Sequence, residues 1–296
     1  MKIGKLSFHC IHDSMSAQQS VDLAQHVEAC GFGALWVTEF LGREVFAHSA
    51  HLLANTRSLI IGSGVANIYA RDAGAMLAGQ LALNELFPDR FLLGIGVSHA
   101  ALVSDFRGHA YTKPVATMRK YLEAMKLQRA TYAAPMPLEA PMTIVAALRP
   151  KMLALAAELA DGAIPTWTPP EHTARARAIL GPGKFLCPIQ SVMLETDPAI
   201  ARAAARKHVS VGMTMPNYQE NLKWLGFESE DFENGCSDRL IDALVAWGDE
   251  DAIRKRIELH FAAGADHVCI LPQHPKPQHM LELDMRLIDI LAPNKS

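Results

Sequence analysis

Two stretches of this sequence place side chains that move protons next to backbone that can lie against a flat ligand. Glu39 follows the apolar run Ala34 to Val37, and Ser98-His99 follows the apolar run Phe91 to Val97. An imidazole and a carboxylate are common agents of proton transfer near neutral pH. Between these two positions lie Ser63-Gly64-Val65-Ala66-Asn67 and then Gly94-Ile95-Gly96-Val97-Ser98, small residues where no bulky side chain separates a planar molecule from the backbone. That pattern points to a bound cofactor. Other polar or small residues that follow apolar runs are His9 and His12, Ala146 to Arg149, Thr166 and Trp167, Gln190, and Gln273.

A metal centre is the competing chemistry. His9-Cys10-Ile11-His12 approaches the His-x-His of metal-dependent hydrolase barrels, but it is one residue too long. Alternate residues of a strand share a face, so His9 and His12 do not. The runs Met142 to Ala147 and Gly162 to Thr166 bring no His or Lys ligand to their ends. The five cysteines are odd in number, widely spread and without a Cys-x-x-Cys pair, so buried reduced thiols are expected. His208, His260, His274 and His279 read as surface, core or loop residues. A net charge of −3 with no Lys/Arg cluster gives no footprint for nucleic acid or an anionic membrane, and a small molecule is the expected partner. No apolar run approaches the ~20 residues of a membrane span, and Met1 to Lys5 leads into a strand, so a cytoplasmic protein is expected.

The elements that must position these residues alternate regularly. Apolar runs at Leu6 to Cys10, Ala34 to Val37, Leu59 to Val65, Phe91 to Val97, Met142 to Ala147, Gly162 to Thr166, Phe185 to Leu194 and His267 to Leu271 read as eight strands. Helices fill the intervals. Ser16 with Gln19 forms a capping box, Asp72 caps a helix from Ala73 to Phe87, and Pro150 occupies a first helical turn. Thr168-Pro169-Pro170-Glu171 reads as a second capping box, Asp249 as another cap, and Gln278 to Leu291 as the last helix. Met213 to Asp238 loses a clear period and reads as an inserted helical excursion between strands seven and eight. Parallel strands need crossover helices of one hand, so the pattern predicts an α/β fold of the (β/α)8 TIM-barrel type, one domain over residues 1–296. A dinucleotide-binding sheet is disfavoured, because Gly62-Ser63-Gly64 and Gly94-Ile95-Gly96 lack a third Gly and lie late in the chain. In a barrel the chemistry sits at the carboxyl ends of the strands.

Four blocks, in this order, resemble the luciferase-like monooxygenase superfamily, and most of all its deazaflavin (coenzyme F420)-dependent oxidoreductase branch. They are Gly33 to Glu39 with Gly42-Arg43-Glu44, Gly64 to Asp72, Arg90 to His99, and Ala160 to Ala163. The resemblance implies a barrel that binds coenzyme F420, or FMN as the alternative, and passes a hydride to or from a small organic substrate. A non-catalytic flavin-binding protein and a metal-dependent hydrolase are the lesser readings. It also implies a homodimer formed through helices near strands two and three, where Phe46, His48, His51 and Leu52 are expected to offer apolar and aromatic surface.

For the site, the resemblance implies a non-prolyl cis peptide at the end of strand three, matching Gly64-Val65. Gly64, Val65, Ala66, Asn67, Ser98 and Thr166 are then cofactor-binding, and the cofactor phosphate falls on Ala147, Leu148 and Arg149 before a helix whose free N–H groups favour an anion. Pro150 removes one donor there, so Arg149 and Lys151 are expected to share the work. No metal is implied. Two positions depart from the better-known deazaflavin sugar-phosphate dehydrogenase. Its Asp-His after strand two is Glu39-Phe40 here, and its acidic residue after strand four is replaced by Ser98-His99. His99 thus becomes the leading proton donor or acceptor, with Glu39 second unless it is paired with Arg43.

Overall fold

The structure, a computed structural model, describes residues 1–276 and 283–293. Its elements alternate as β1 (Leu6–Cys10), α1 (Ala17–Ala29), β2 (Ala34–Val37), α2 (Val45–Ala54), β3 (Ile60–Ser63), β4 (Ala66–Asn67), α3 (Ala73–Leu86), β5 (Phe91–Gly96), α4 (Pro114–Gln128), β6 (Thr143–Val145), α5 (Pro150–Leu159), β7 (Gly162–Ala163), α6 (Pro170–Leu180), β8 (Phe185–Leu186) and β9 (Ile189–Leu194). Three helices follow, α7 (Pro198–Met213), α8 (Pro216–Leu225) and α9 (Asp238–Leu244), then β10 (Val245–Gly248), α10 (Glu250–Ala262), β11 (Val268–Pro272) and α11 (Arg286–Ile290). Every strand pairing is parallel, in the order β10-β9-β11-β1-β2-β3-β5-β6-β7-β8, with β4 continuing β3 alongside β5. The sheet curls until both arms reach one stretch of chain, since β8 and β9 are separated only by Cys187-Pro188, and Thr166 bridges Ile189.

Period-two alternation divides the side chains into two cores. Phe8 and Cys10, Leu35 and Val37, Phe91, Leu93 and Ile95, and Val268 and Ile270 turn outward into the layer shared with the helices. Ala34 and Trp36, Leu92, Ile144, Ile164, Ile189 and Cys269 turn inward and fill the space the sheet encloses. Gly62 lies under the Trp36 ring, so no side chain is possible there, and the Trp36 indole N–H donates to Ser7 Oγ at 2.7 Å. The helices outside start where the chain supplies acceptors: Ser16 and Gln19 form the capping box, Asp72 accepts from Ala75 N at 2.8 Å, and Asp249 from Ala252 N at 2.9 Å.

Several expectations need correction. The Thr168 box does not form: Pro169 is the cap, Pro170 takes the first helical position, and the buried Thr168 hydroxyl has no partner among the described residues, because the threonine sits one residue too early. Pro188 splits the predicted seventh strand, and β10 is a strand that the sequence reading did not assign. The segment Phe46 to Leu52 turns inward: Leu52 and His48 are buried, the His48 ring meets His12 at 4.8 Å, and Phe46 packs on Phe91. It offers little of the apolar surface expected of it. His279 and the first part of the predicted last helix lie outside the described residues. Among the described residues, no helix is long and apolar enough to cross a membrane.

Candidate active site

The inward positions of successive strands, carried past their carboxyl ends, converge on a cavity of about 490 Å³. Ser7 leads to His9 and Ile11, Trp36 to Thr38, Gly62 to Gly64, Gly94 to Gly96 and Ser98, Ile144 to Ala146, and Ile164 to Thr166; all of these end residues line it. Ile189 and Leu271 add apolar wall. Leu102 comes from the turn after β5, Val211 from α7, Asn217 and Tyr218 from α8, and Met215 is the N-cap of α8.

One wall is a compact hydrogen-bonded unit. His9 Nε2 lies 3.1 Å from Gly64 O and 3.0 Å from Thr38 Oγ1, while the Thr38 hydroxyl donates to Gly64 O at 3.1 Å. Burial holds the His9 pKa below its ordinary value against the contact with Gly64 O, so the ring is neutral. Its buried Nδ1 has no partner among the described residues. The Gly64-Val65 peptide is cis, as the resemblance implied. A Cβ on Gly64 would lie 3.1 Å from His9 Cδ2, and one on Gly96 would lie 2.6 Å from Val65 Cγ2, so both glycines keep the floor thin.

Glu39 is held rather than free. Arg71 grips both carboxylate oxygens, Nη1 reaching Oε2 at 2.9 Å, and Asn67 N donates to the same oxygen at 2.8 Å. Burial opposes the Arg71 charge, but Glu39 and Glu44 more than offset it and raise its pKa above the ordinary value. The pairing with Arg43 does not form, since that guanidinium bonds Met15 O. Glu39 therefore suits positioning of the β4 backbone through Asn67 N.

His99 also lines the cavity. Its Nε2 is 3.3 Å from the Tyr218 hydroxyl, Asn217 hydrogen-bonds the ring, and Tyr218 meets Trp167 edge to face at 4.6 Å. Burial lowers the His99 pKa below 6.5, partly countered by Asn217, and burial raises the Tyr218 pKa well above 10. Ser98 and Trp167 both adopt left-handed backbone (φ 56° and 50°), a conformation uncommon for such residues, which turns their neighbours toward the cavity.

Most of the expected site residues come together. Gly64, Val65, Asn67, Ser98, His99, Ala147, Leu148, Thr166 and Glu39 all line the cavity. Ala66 does not, because its side chain enters the outer core, and the Arg149 side chain is exposed beyond the wall. Gln190 is buried elsewhere, bonded to His260 at 2.8 Å, and His12 packs against His48 and Cys10. Sequence reasoning missed Thr38, Leu102, Val211, Met215, Asn217 and Tyr218. Thr38 was recoverable by counting two residues on from Trp36. The rest carry no sequence signal, because they arrive from the helices.

A flat ring with a phosphate-bearing tail fits these residues. The glycine floor and apolar walls match a planar ring, and the unpartnered His9 Nδ1 and the buried, unpartnered Trp167 Nε1 are polar atoms the chain leaves unsatisfied. The backbone N–H groups of Ala147, Leu148 and Arg149 have no acceptor among the described residues, and they precede α5, whose first turn favours an anion.

The sequence profile described as luciferase-like monooxygenase matches residues 1–267. A protein of Mycobacterium tuberculosis, provisionally named as the coenzyme F420-dependent oxidoreductase Rv3520c, is 25% identical over 307 aligned positions, which cover 83% of this chain and 88% of the relative. The solved coenzyme F420-dependent tetrahydromethanopterin reductase from Methanopyrus kandleri superposes with a TM-score of 0.74 at 16% identity, covering 98% of this chain and 97% of that one. The FMN complex of the oxygenating constituent of 3,6-diketocamphane monooxygenase from Pseudomonas putida, a type II Baeyer-Villiger monooxygenase, superposes with a TM-score of 0.66 at 12% identity, covering 97% and 96%.

Proposed function

Because the chain belongs to the luciferase-like monooxygenase family, we propose that it is an oxidoreductase that moves a hydride between bound coenzyme F420 and a small organic substrate, with FMN as the alternative cofactor. The observation that carries this reading is the meeting, in one cavity, of the Gly64 and Gly96 floor with His99 and its Tyr218 partner. The F420-dependent name of the Mycobacterium relative, over most of both chains, favours the deazaflavin. When bound, that cofactor supplies a ring that accepts or gives a hydride. His99 Nε2, beside the Tyr218 hydroxyl, takes or returns the proton that accompanies it. Burial keeps that imidazole neutral and ready to accept. Leu102, Val211 and Met215 exclude water and favour an apolar substrate carrying one oxygen function. Gly64, Val65, Asn67, Ser98 and Thr166 hold the ring, and the backbone of Ala147 to Arg149 holds the phosphate.

The same reading takes residues 1–296 as one eight-stranded barrel domain, in which β3 with β4 and β8 with β9 each form one strand, β10 is an extra strand added on β9, and the helical excursion from Met213 to Asp238 is the insertion. It takes the active form as a cytoplasmic homodimer, for which the exposed Ile11, Phe40 and Leu41 at the ends of β1 and β2 supply apolar surface. Light scattering that gave only the 32.3 kDa monomer at micromolar concentration would remove the dimer. The hydride reading is tested anaerobically, with the protein, oxidised F420 and a series of apolar alcohols. Bleaching of the deazaflavin absorbance is expected. Turnover only with reduced FMN and oxygen would assign the monooxygenase chemistry instead.

A further inference from the structure

At the end of the sheet opposite the cavity, where α1 leads into the amino end of β2, three different side chains converge. His26 and Cys30 lie one helical turn apart and so share a face of α1, Cys30 being its C-cap. Asp289 reaches them from α11. His26 Nε2 is 3.0 Å from Asp289 Oδ1, and Cys30 Sγ is 4.0 Å from that nitrogen and 3.8 Å from that oxygen.

Those separations are close to the edges of a coordination tetrahedron. Ligand bonds of about 2.0–2.2 Å to N and O and about 2.3 Å to S place N and O about 3.4 Å apart and S about 3.6 Å from each. Each observed edge is within about half an ångström of that geometry. The Cys30 thiol donates to Asp289 Oδ1 without an ion, and all three ligand atoms lie within 4.8 Å of one another, near enough to close on one metal with little movement. We propose that His26, Cys30 and Asp289 form a site for a zinc-class divalent cation, with water as the fourth ligand. The thiolate and imidazole select against magnesium and calcium, which prefer all-oxygen shells. Half-exposed side chains, 39% for His26 and 53% for Asp289, leave the ion a path in. Binding releases the Cys30 proton and ties residues 259 positions apart, so the ion clips α11 to α1 and stabilises the folded chain.

Cobalt(II) added to the whole protein is the test. One equivalent should bind with a thiolate-to-cobalt charge-transfer band and the intense visible bands of tetrahedral cobalt, and zinc should displace it. Cys30→Ser should abolish the charge-transfer band, and His26→Gln and Asp289→Asn should each weaken binding by at least about tenfold. Zinc should raise the melting temperature of the unmodified protein and leave that of Cys30→Ser unmoved. No charge-transfer band at millimolar cobalt overturns the site, as does a band that survives Cys30→Ser. Should Cys30→Ser fail to fold, Asp289→Asn decides alone: unchanged cobalt affinity rejects the assignment.

Discussion

The two ends of the curled sheet treat polar groups in opposite ways. At the amino ends, charged side chains satisfy the backbone. The Glu28 carboxylate accepts from the N–H groups of Arg57 at 2.9 Å, Ser58 at 2.6 Å and Leu59 at 2.8 Å, at the start of β3. Arg90 donates to the carbonyls of Thr56 and Leu59, Asp161 accepts from Thr143 N at the start of β6, and Lys184 donates to Ala160 O. At the carboxyl ends, His9 Nδ1 and Trp167 Nε1 are buried without partners among the described residues. One end is chemically finished, and the other is left open for a ligand to complete. The contrast supports the proposed division, with stability at the first and catalysis at the second.

Substitutions at the two ends should therefore separate cleanly. The largest effect is expected for His99→Gln, which keeps a polar side chain but cannot titrate. Turnover should fall by about 10²–10⁴ while cofactor affinity, read by absorbance titration, is retained. Glu39→Gln is the control: if it lost turnover and His99→Gln did not, the proton would belong to Glu39. Next comes Gly64→Val, whose side chain would press on His9. Overpacking of about 1–3 kcal/mol corresponds to roughly 5–150-fold in cofactor affinity, with folding less affected.

At the finished end, Glu28→Gln should destabilise the protein by about 1–3 kcal/mol in urea titrations and leave kcat and KM unchanged. Burial raises the Glu28 pKa, but the N–H donors of Ser58, Leu59 and Arg57 outweigh it and hold the carboxyl below 4.5. Its stabilisation is therefore present above pH 4.5 and is lost as pH falls through the folded value, and the variant should lack that acid component. His267, bonded to Ser7 Oγ and Gly4 O and lowered by burial to about 4, adds a loss of stability as pH falls from 6.5 toward 4. The smallest effect belongs to Asn217→Ala. The acid limb of the kcat/KM profile, set below pH 6.5 by the buried His99, should move further down by less than about one pH unit.

What could be read from the sequence follows from the range of the interactions involved. Ser16, Asp72 and Asp249 cap helices through bonds three residues long, and short-range chemistry is written in adjacent letters. The floor of the cavity was legible because small residues after apolar runs fall at the carboxyl ends of parallel strands, and the cis Gly64-Val65 bond because of the family resemblance. Partners chosen in three dimensions were not. Arg71 rather than Arg43 takes Glu39, and Tyr218 reaches His99 across 119 residues from a stretch whose helical period is obscured by Pro216 and Gly226. The same blindness hid Asp289 from His26 and Cys30.

The open end makes one commitment that a single titration addresses. Protein freed of small molecules, in its native form and as Gly64→Val, is titrated with coenzyme F420 and separately with FMN, and binding is followed by absorbance. Stoichiometric binding of F420, weaker binding of FMN, and loss of F420 affinity in Gly64→Val are the expected results. Failure of both cofactors to bind, or F420 binding that Gly64→Val leaves unchanged, would contradict the assignment of this cavity as the cofactor site.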